Sequence, residues 1–163
     1  MGSTATILIA EDETVVRLDL TQMLRGAGYE VVAEARDGIE AIALAREHAP
    51  DLALVDVKMP RLDGVSAARA MIAERPFPIV MLTAYGYGEL IARALDAGVV
   101  GYVMKPFRER ELLDTVRRAL GRSPSDGVEI DLAAARGSVR WPLTLRRDDD
   151  GQLDVTVRGP DVE

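Results

Sequence analysis

Residues 52–64 read Leu52-Ala53-Leu54-Val55-Asp56-Val57-Lys58-Met59-Pro60-Arg61-Leu62-Asp63-Gly64. The uncharged apolar run at its start is short and reads as a strand buried on both faces. Asp56 stands directly after that run. Asp63-Gly64 then opens a helical segment in which Val65, Ala68 and Ile72 share one stripe. Strand, carboxylate, turn and helix follow one another within a few residues.

The same order recurs on both sides. Ile7-Leu8-Ile9-Ala10, Val31-Val32-Ala33, Ile79-Val80-Met81-Leu82 and Val99-Val100-Gly101-Tyr102-Val103 are further apolar runs of strand length. Between them lie segments of helical period: Val16, Leu20, Met23, Leu24 and Ala27; Ala41, Ile42, Ala45 and Ala49; Leu90, Ala94 and Ala97; and Leu112, Leu113, Val116, Ala119 and Leu120. Gly26, Gly28 and Gly98 are stop signals, and Asp37-Gly38 is a second helix opening. Strands alternating with helices predict an α/β fold, a doubly wound parallel sheet with helices on both faces.

In such sheets ligands bind beyond the carboxyl ends of the strands, where the strand order reverses. Glu11 and Asp12 follow the first strand, Asp56 the third, Thr83 the fourth and Lys105 the fifth. With strand order 2-1-3-4-5, Asp12 and Asp56 face each other, with Thr83 and Lys105 beside Asp56. Two like charges about 4 Å apart cost roughly 4 kcal/mol at an effective dielectric near 20. A cation or proton uptake must offset that. Oxygen ligands alone suit Mg²⁺, Mn²⁺ or Ca²⁺, and Mg²⁺ fits a site of a few carboxylates plus a phosphate oxygen. A carboxylate can attack a phosphoryl group, and an ammonium, a hydroxyl and a metal can then meet the charge on its oxygens.

The set Glu11-Asp12, Asp56-Val57-Lys58-Met59-Pro60, Asp63-Gly64, Thr83-Ala84 and Lys105-Pro106-Phe107 resembles the motif set of bacterial two-component response regulator receiver domains. The resemblance covers roughly residues 5 to 121. It implies a flavodoxin-like (βα)5 fold with Asp56 as phosphoacceptor, assisted by Thr83 and Lys105. It implies Mg²⁺ held by Asp12, Asp56 and the Lys58 carbonyl, with Glu11 acting through a metal-bound water. Thr83 and Tyr102 become the switch pair, reshaping the face built from the fourth helix, fifth strand and fifth helix of the pattern. That face is also where a homodimer would form. The implied phosphoryl donor is a sensor histidine kinase or a phosphotransfer protein. The stretch 56–64 most resembles receivers joined to ANTAR RNA-binding output domains, but residues 122–163 are too few for that helical bundle.

Bulk composition agrees. The chain has 163 residues, no cysteine and one histidine, His48, so thiolate chemistry and a multi-histidine zinc site are excluded. A formal charge of -7 disfavours nucleic-acid binding through this chain. Neither a membrane-length apolar run nor a signal segment is present, which predicts a cytoplasmic protein without a membrane partner. Residues 1–121 are expected to form the receiver. Residues 122–163 are expected to form a linker and a short extension, in which Leu143, Leu145, Leu153, Val155 and Val157 alternate with polar residues as a β-hairpin does.

Each motif residue also has a structural reading. Thr83 alone is an ordinary strand residue, Tyr102 is equally core packing, and only the Lys58 carbonyl is needed, so its side chain faces solvent. A cis Lys105–Pro106 bond is expected to aim the ammonium inward. Two rival functions differ in kind. A Mg²⁺-dependent phosphatase of the haloacid-dehalogenase type needs a second acid two residues after the nucleophile, where Lys58 stands. A pseudo-receiver scaffold needs no intact constellation. In the leading reading the protein is no enzyme in the ordinary sense, because it assists only its own phosphorylation and dephosphorylation.

Overall fold

Apolar runs become the sheet almost residue for residue. In the computed structural model the strands β1 (Thr6–Ala10), β2 (Glu30–Ala35), β3 (Leu52–Asp56), β4 (Ile79–Thr83) and β5 (Gly101–Met104) form a parallel sheet in the order β2-β1-β3-β4-β5. The structure describes residues 4–84 and 97–121, and the backbone of 128–131, 142–147 and 153–157. The helices are α1 (Thr14–Gly26), α2 (Gly38–His48), α3 (Gly64–Glu74) and α4 (Glu109–Ala119), the last being the fifth helix of the sequence pattern. The fourth helical segment, with Leu90 and Ala94, lies outside the described residues, apart from its end at Ala97.

Side chains alternate across the sheet and divide the core in two. Ile7, Ile9, Leu52, Leu54, Val80 and Leu82 point to one side, where Leu20 and Leu24 of α1 and Leu112 and Val116 of α4 pack on them. Leu8, Ala10, Ala53, Val55, Ile79 and Met81 point to the other side, toward Ala41 and Ala45 of α2 and Ala67, Ala68 and Met71 of α3. The second layer is rich in alanine, which lets α2 and α3 sit close to the sheet.

All five residues of β3 and of β4 are buried, as continuous apolar runs predict. Strand β2 departs from that expectation. Val31, Val32 and Ala33 are only half-buried, because β2 is an outer strand of the sheet.

The two Asp-Gly openings act as helix caps. Asp37 accepts from the Glu40 backbone N–H at 2.8 Å, and Asp63 accepts from that of Ser66 at 2.9 Å. Each such cap is worth about 1 kcal/mol. Helix α1 differs: its cap residue, Glu13, makes no side-chain capping bond.

The expected hairpin is present as β7 (Pro142–Arg147) paired with β8 (Leu153–Val157). The sequence pattern did not include a third strand, β6 (Val128–Asp131), which pairs antiparallel with β7. A two-stranded ribbon is marginal alone, and a third strand is a general remedy. Register puts Ile130, Leu143 and Val157 in line, and likewise Val128, Leu145 and Val155. Strand β6 approaches β5, the outer strand of the main sheet. Most of the expected linker, Trp141 and the Asp148-Asp149-Asp150 turn lie outside the described residues.

Candidate functional site

The carboxyl ends of β1, β3, β4 and β5 end nearly level. Ala10 pairs with Val55, Asp56 with Leu82 and Thr83 with Met104. The residues that follow these positions therefore gather at one rim. Glu11, Asp12 and Asp56 each offer a carboxylate oxygen, all within 4.8 Å of one another. Glu11 is fully buried, Asp56 is 5 % exposed and Asp12 is open to solvent.

Lys105 reaches into this group. Its Nζ donates to Glu11 Oε2 at 2.7 Å and to Asp56 Oδ2 at 3.1 Å. The repulsion that the sequence implied is thus partly offset within the protein. Burial pushes the Glu11 carboxyl up to about 7; the Lys105 hydrogen bond opposes this, and the charge of Asp56 adds to it. For Lys105, burial is the largest single influence and favours the neutral amine. The Glu11 and Asp56 carboxylates together outweigh it, so the ammonium is held above the usual lysine range. The Lys105–Pro106 peptide is cis.

Thr83 ends β4, fully buried, and its carbonyl accepts from the Lys105 backbone N–H at 2.7 Å. Ala84 beyond it is exposed. The Lys58 side chain is exposed, as expected for a residue needed only for its carbonyl. Tyr102 belongs to β5. It is 8 % exposed and packs in the α2–α3 core layer.

Backbone fit shapes the loop after Asp56. A Cβ on Gly64 would lie 1.9 Å from the Asp56 carbonyl oxygen, so only glycine allows α3 to start this close to the strand. The Gly64 N–H donates to the Val57 carbonyl at 2.8 Å, closing the loop. Gly38 similarly admits Leu62: a Cβ there would meet the Leu62 carbonyl oxygen at 2.4 Å. Arg61 adopts a φ of 65° and its Nε lies 3.5 Å from Asp37 Oδ2. In the sequence Asp37-Gly38 marks a helix opening only. Its second role, bracing the Asp56 loop, leaves no local signal.

The carboxylate set fits a hard divalent cation. It offers only oxygen, one member faces solvent, and a lysine beside it adds the positive charge expected near a phosphoryl group.

Residues 7–117 match the response regulator receiver domain family. The chain belongs to that family. This receiver is 50% identical over 116 residues to the transcriptional regulatory protein PdtaR of Mycobacterium tuberculosis, covering 71% of this chain and 57% of that protein. It is 37% identical over 124 residues to the DNA-binding response regulator MtrA of Mycolicibacterium smegmatis, covering 76% and 54%. The chain therefore spans little more than half the length of these relatives. Among solved structures, the receiver resembles chemotaxis protein CheY4 of Vibrio cholerae with a TM-score of 0.68 and 32% identity, over 72% of this chain and 99% of that one. A response regulator from Chloroflexus aurantiacus gives 0.68 and 35%, over 74% and 100%. The flavodoxin-like fold and the resemblance to receiver domains are both borne out. Receiver domains of this family accept phosphoryl groups from histidine kinases and serve as phosphorylation-dependent signalling switches. Among the described residues no helix is long and apolar enough to cross a membrane.

Proposed function

We propose that Asp56 accepts a phosphoryl group from the phosphohistidine of a sensor histidine kinase or phosphotransfer protein, in a receiver formed by residues 1–121, and that the changed surface alters binding to a partner. The observation that carries this is the convergence of Glu11, Asp12 and Asp56 at one rim, with the Lys105 ammonium 3.1 Å from Asp56.

An Asp56 carboxylate oxygen forms the new P–O bond as the P–N bond to the donor histidine breaks. The imidazole nitrogen leaves with the bonding pair and takes a proton. Lys105 stays charged and shifts from pairing two carboxylates to meeting the added phosphoryl charge. The Thr83 hydroxyl would donate to a phosphoryl oxygen. Asp12, Asp56 and the Lys58 carbonyl would hold Mg²⁺ directly, and Glu11 would hold it through water. The ion, when bound, neutralises charge on the transferring oxygens. Thr83 and Tyr102 would carry the change toward the face of β5 and its flanking helices. The extension formed by residues 122–163 and a second receiver would compete there, since β6 approaches β5. The chain would act on its own aspartate and turn over no external substrate.

The test is incubation with Mg²⁺ and acetyl phosphate followed by intact-mass measurement. The expected result is one added phosphoryl group in the wild type and none in Asp56→Asn. No gain in the wild type would leave the scaffold reading standing, and an undiminished gain in Asp56→Asn would move the acceptor elsewhere. Steady hydrolysis of small phosphate esters would instead support an enzyme.

A further inference from the structure

Asp12 is exposed, and among the described residues no hydrogen bond holds its carboxylate. The backbone beneath it then sets where its Cα and Cβ stand at the rim, and so which positions the carboxylate can reach. The Glu11–Asp12 peptide is planar, so whatever fixes the Glu11 carbonyl also fixes the plane leading to the Asp12 Cα. That carbonyl accepts from Arg17 Nη1 at 2.8 Å.

Arg17 is itself held. Its side chain is 11% exposed, and its Nε lies 3.8 Å from Glu34 Oε1 on β2. Thr21 Oγ1 lies 3.0 Å from the same Glu34 oxygen and 2.9 Å from the Arg17 carbonyl, and its single proton serves one acceptor at a time. The absence of a capping bond from Glu13 is the independent sign. Where α2 and α3 are fastened by a cap aspartate, α1 is tied to the end of β1 by a guanidinium reaching back six residues to Glu11.

We propose that Arg17 is a positioning residue for the metal site: through the Glu11 carbonyl it orients the Asp12 carboxylate toward the cation. This rests on the reading of Glu11, Asp12 and Asp56 as the Mg²⁺ site. The sign of the effect separates positioning from plain charge. As a mere nearby cation Arg17 repels Mg²⁺, and its removal tightens binding. As a positioning donor its removal weakens binding.

The experiment is calorimetric Mg²⁺ titration of the full chain, with thermal unfolding of each metal-free protein as the control for folding. Arg17→Gln is expected to bind Mg²⁺ about tenfold more weakly, in the range seen when groups supporting metal ligands are lost. Arg17→Lys, which keeps a donor, is expected to recover most of that affinity. Wild-type or tighter binding by a folded Arg17→Gln overturns the proposal. If Arg17→Gln does not fold, Thr21→Val decides: this neutral change loosens Glu34 and should weaken binding about threefold, and unaltered affinity overturns the proposal. A wild type that binds no Mg²⁺ brings down the site assignment and this inference together. A wild type that binds, with variants that match it, brings down only the role of Arg17.

Discussion

The loop after β3 runs from Val57 to Asp63, behind Asp56 at the strand end, and is held by backbone fit. Gly64 admits the Asp56 carbonyl, Gly38 admits Leu62, and Asp63 caps α3. The loop after β1, from Glu11 to Glu13, carries the other two carboxylates and has no such fit. Its cap makes no side-chain bond; beside the Glu11 N–H on the Ala35 carbonyl and the Glu13 N–H on the Glu11 carboxylate, charged groups hold it: Lys105 on the Glu11 carboxylate and Arg17 on the Glu11 carbonyl. Steric fit is indifferent to pH and ions, whereas ion pairs respond to both. The first loop is thus suited to holding the Asp56 carboxylate at a constant position, and the second to answering a change in local charge.

The largest effect is expected from breaking the steric loop. Gly64→Ala puts a methyl against a backbone oxygen that cannot yield, as the 1.9 Å approach requires. A loss of about 4 kcal/mol is expected, the scale reserved for strain at a special backbone position. Urea unfolding measures it, and a variant within 1 kcal/mol of the wild type (roughly the scatter of ordinary substitutions) would show that the loop is softer than its packing implies.

The electrostatic loop should reveal itself in pH. The folded Glu11 carboxyl titrates near 7, above the usual carboxylate range, so between these values the native state holds a proton that the unfolded chain has released. Stability of the metal-free protein should therefore fall as pH rises from the ordinary glutamate range to about 7, then level off. The slope cannot exceed one proton, about 1.4 kcal/mol per pH unit. Denaturation at pH 5, 6, 7 and 8 (roughly even steps across that window) in a chelating buffer checks this, and Glu11→Gln should remove the slope. A slope of opposite sign would mean that Lys105 outweighs burial at Glu11.

The smallest effects compare the two helix starts directly. Asp63→Ala should cost about 1 kcal/mol through loss of its cap. Glu13→Ala should stay within about 0.5 kcal/mol, because Glu13 makes no capping bond. Equal costs in thermal or urea unfolding would erase the distinction between the loops.

Much of this was legible beforehand because its signals are local. Apolar runs marked β1, β3 and β4, and Asp37-Gly38 and Asp63-Gly64 marked α2 and α3. Placement after strand ends singled out Glu11, Asp12, Asp56, Thr83 and Lys105. Strand β6 was not read, since Val128-Glu129-Ile130-Asp131 is too short to show alternation against its surroundings. Arg17 leaves no local signal, because what sets it apart is that its side chain turns back toward the strand end.

Residue order alone determined which groups stand at the sheet's carboxyl rim, because alternating strands and helices leave a parallel sheet little choice of topology. Tertiary structure alone decided how those groups share charge. Lys105 lies 94 residues from Glu11 along the chain, and only the adjacency of β1, β3, β4 and β5 brings its ammonium between Glu11 and Asp56. Burial, which lifts Glu11 to about 7, is likewise a property of what the folded chain places around a carboxylate.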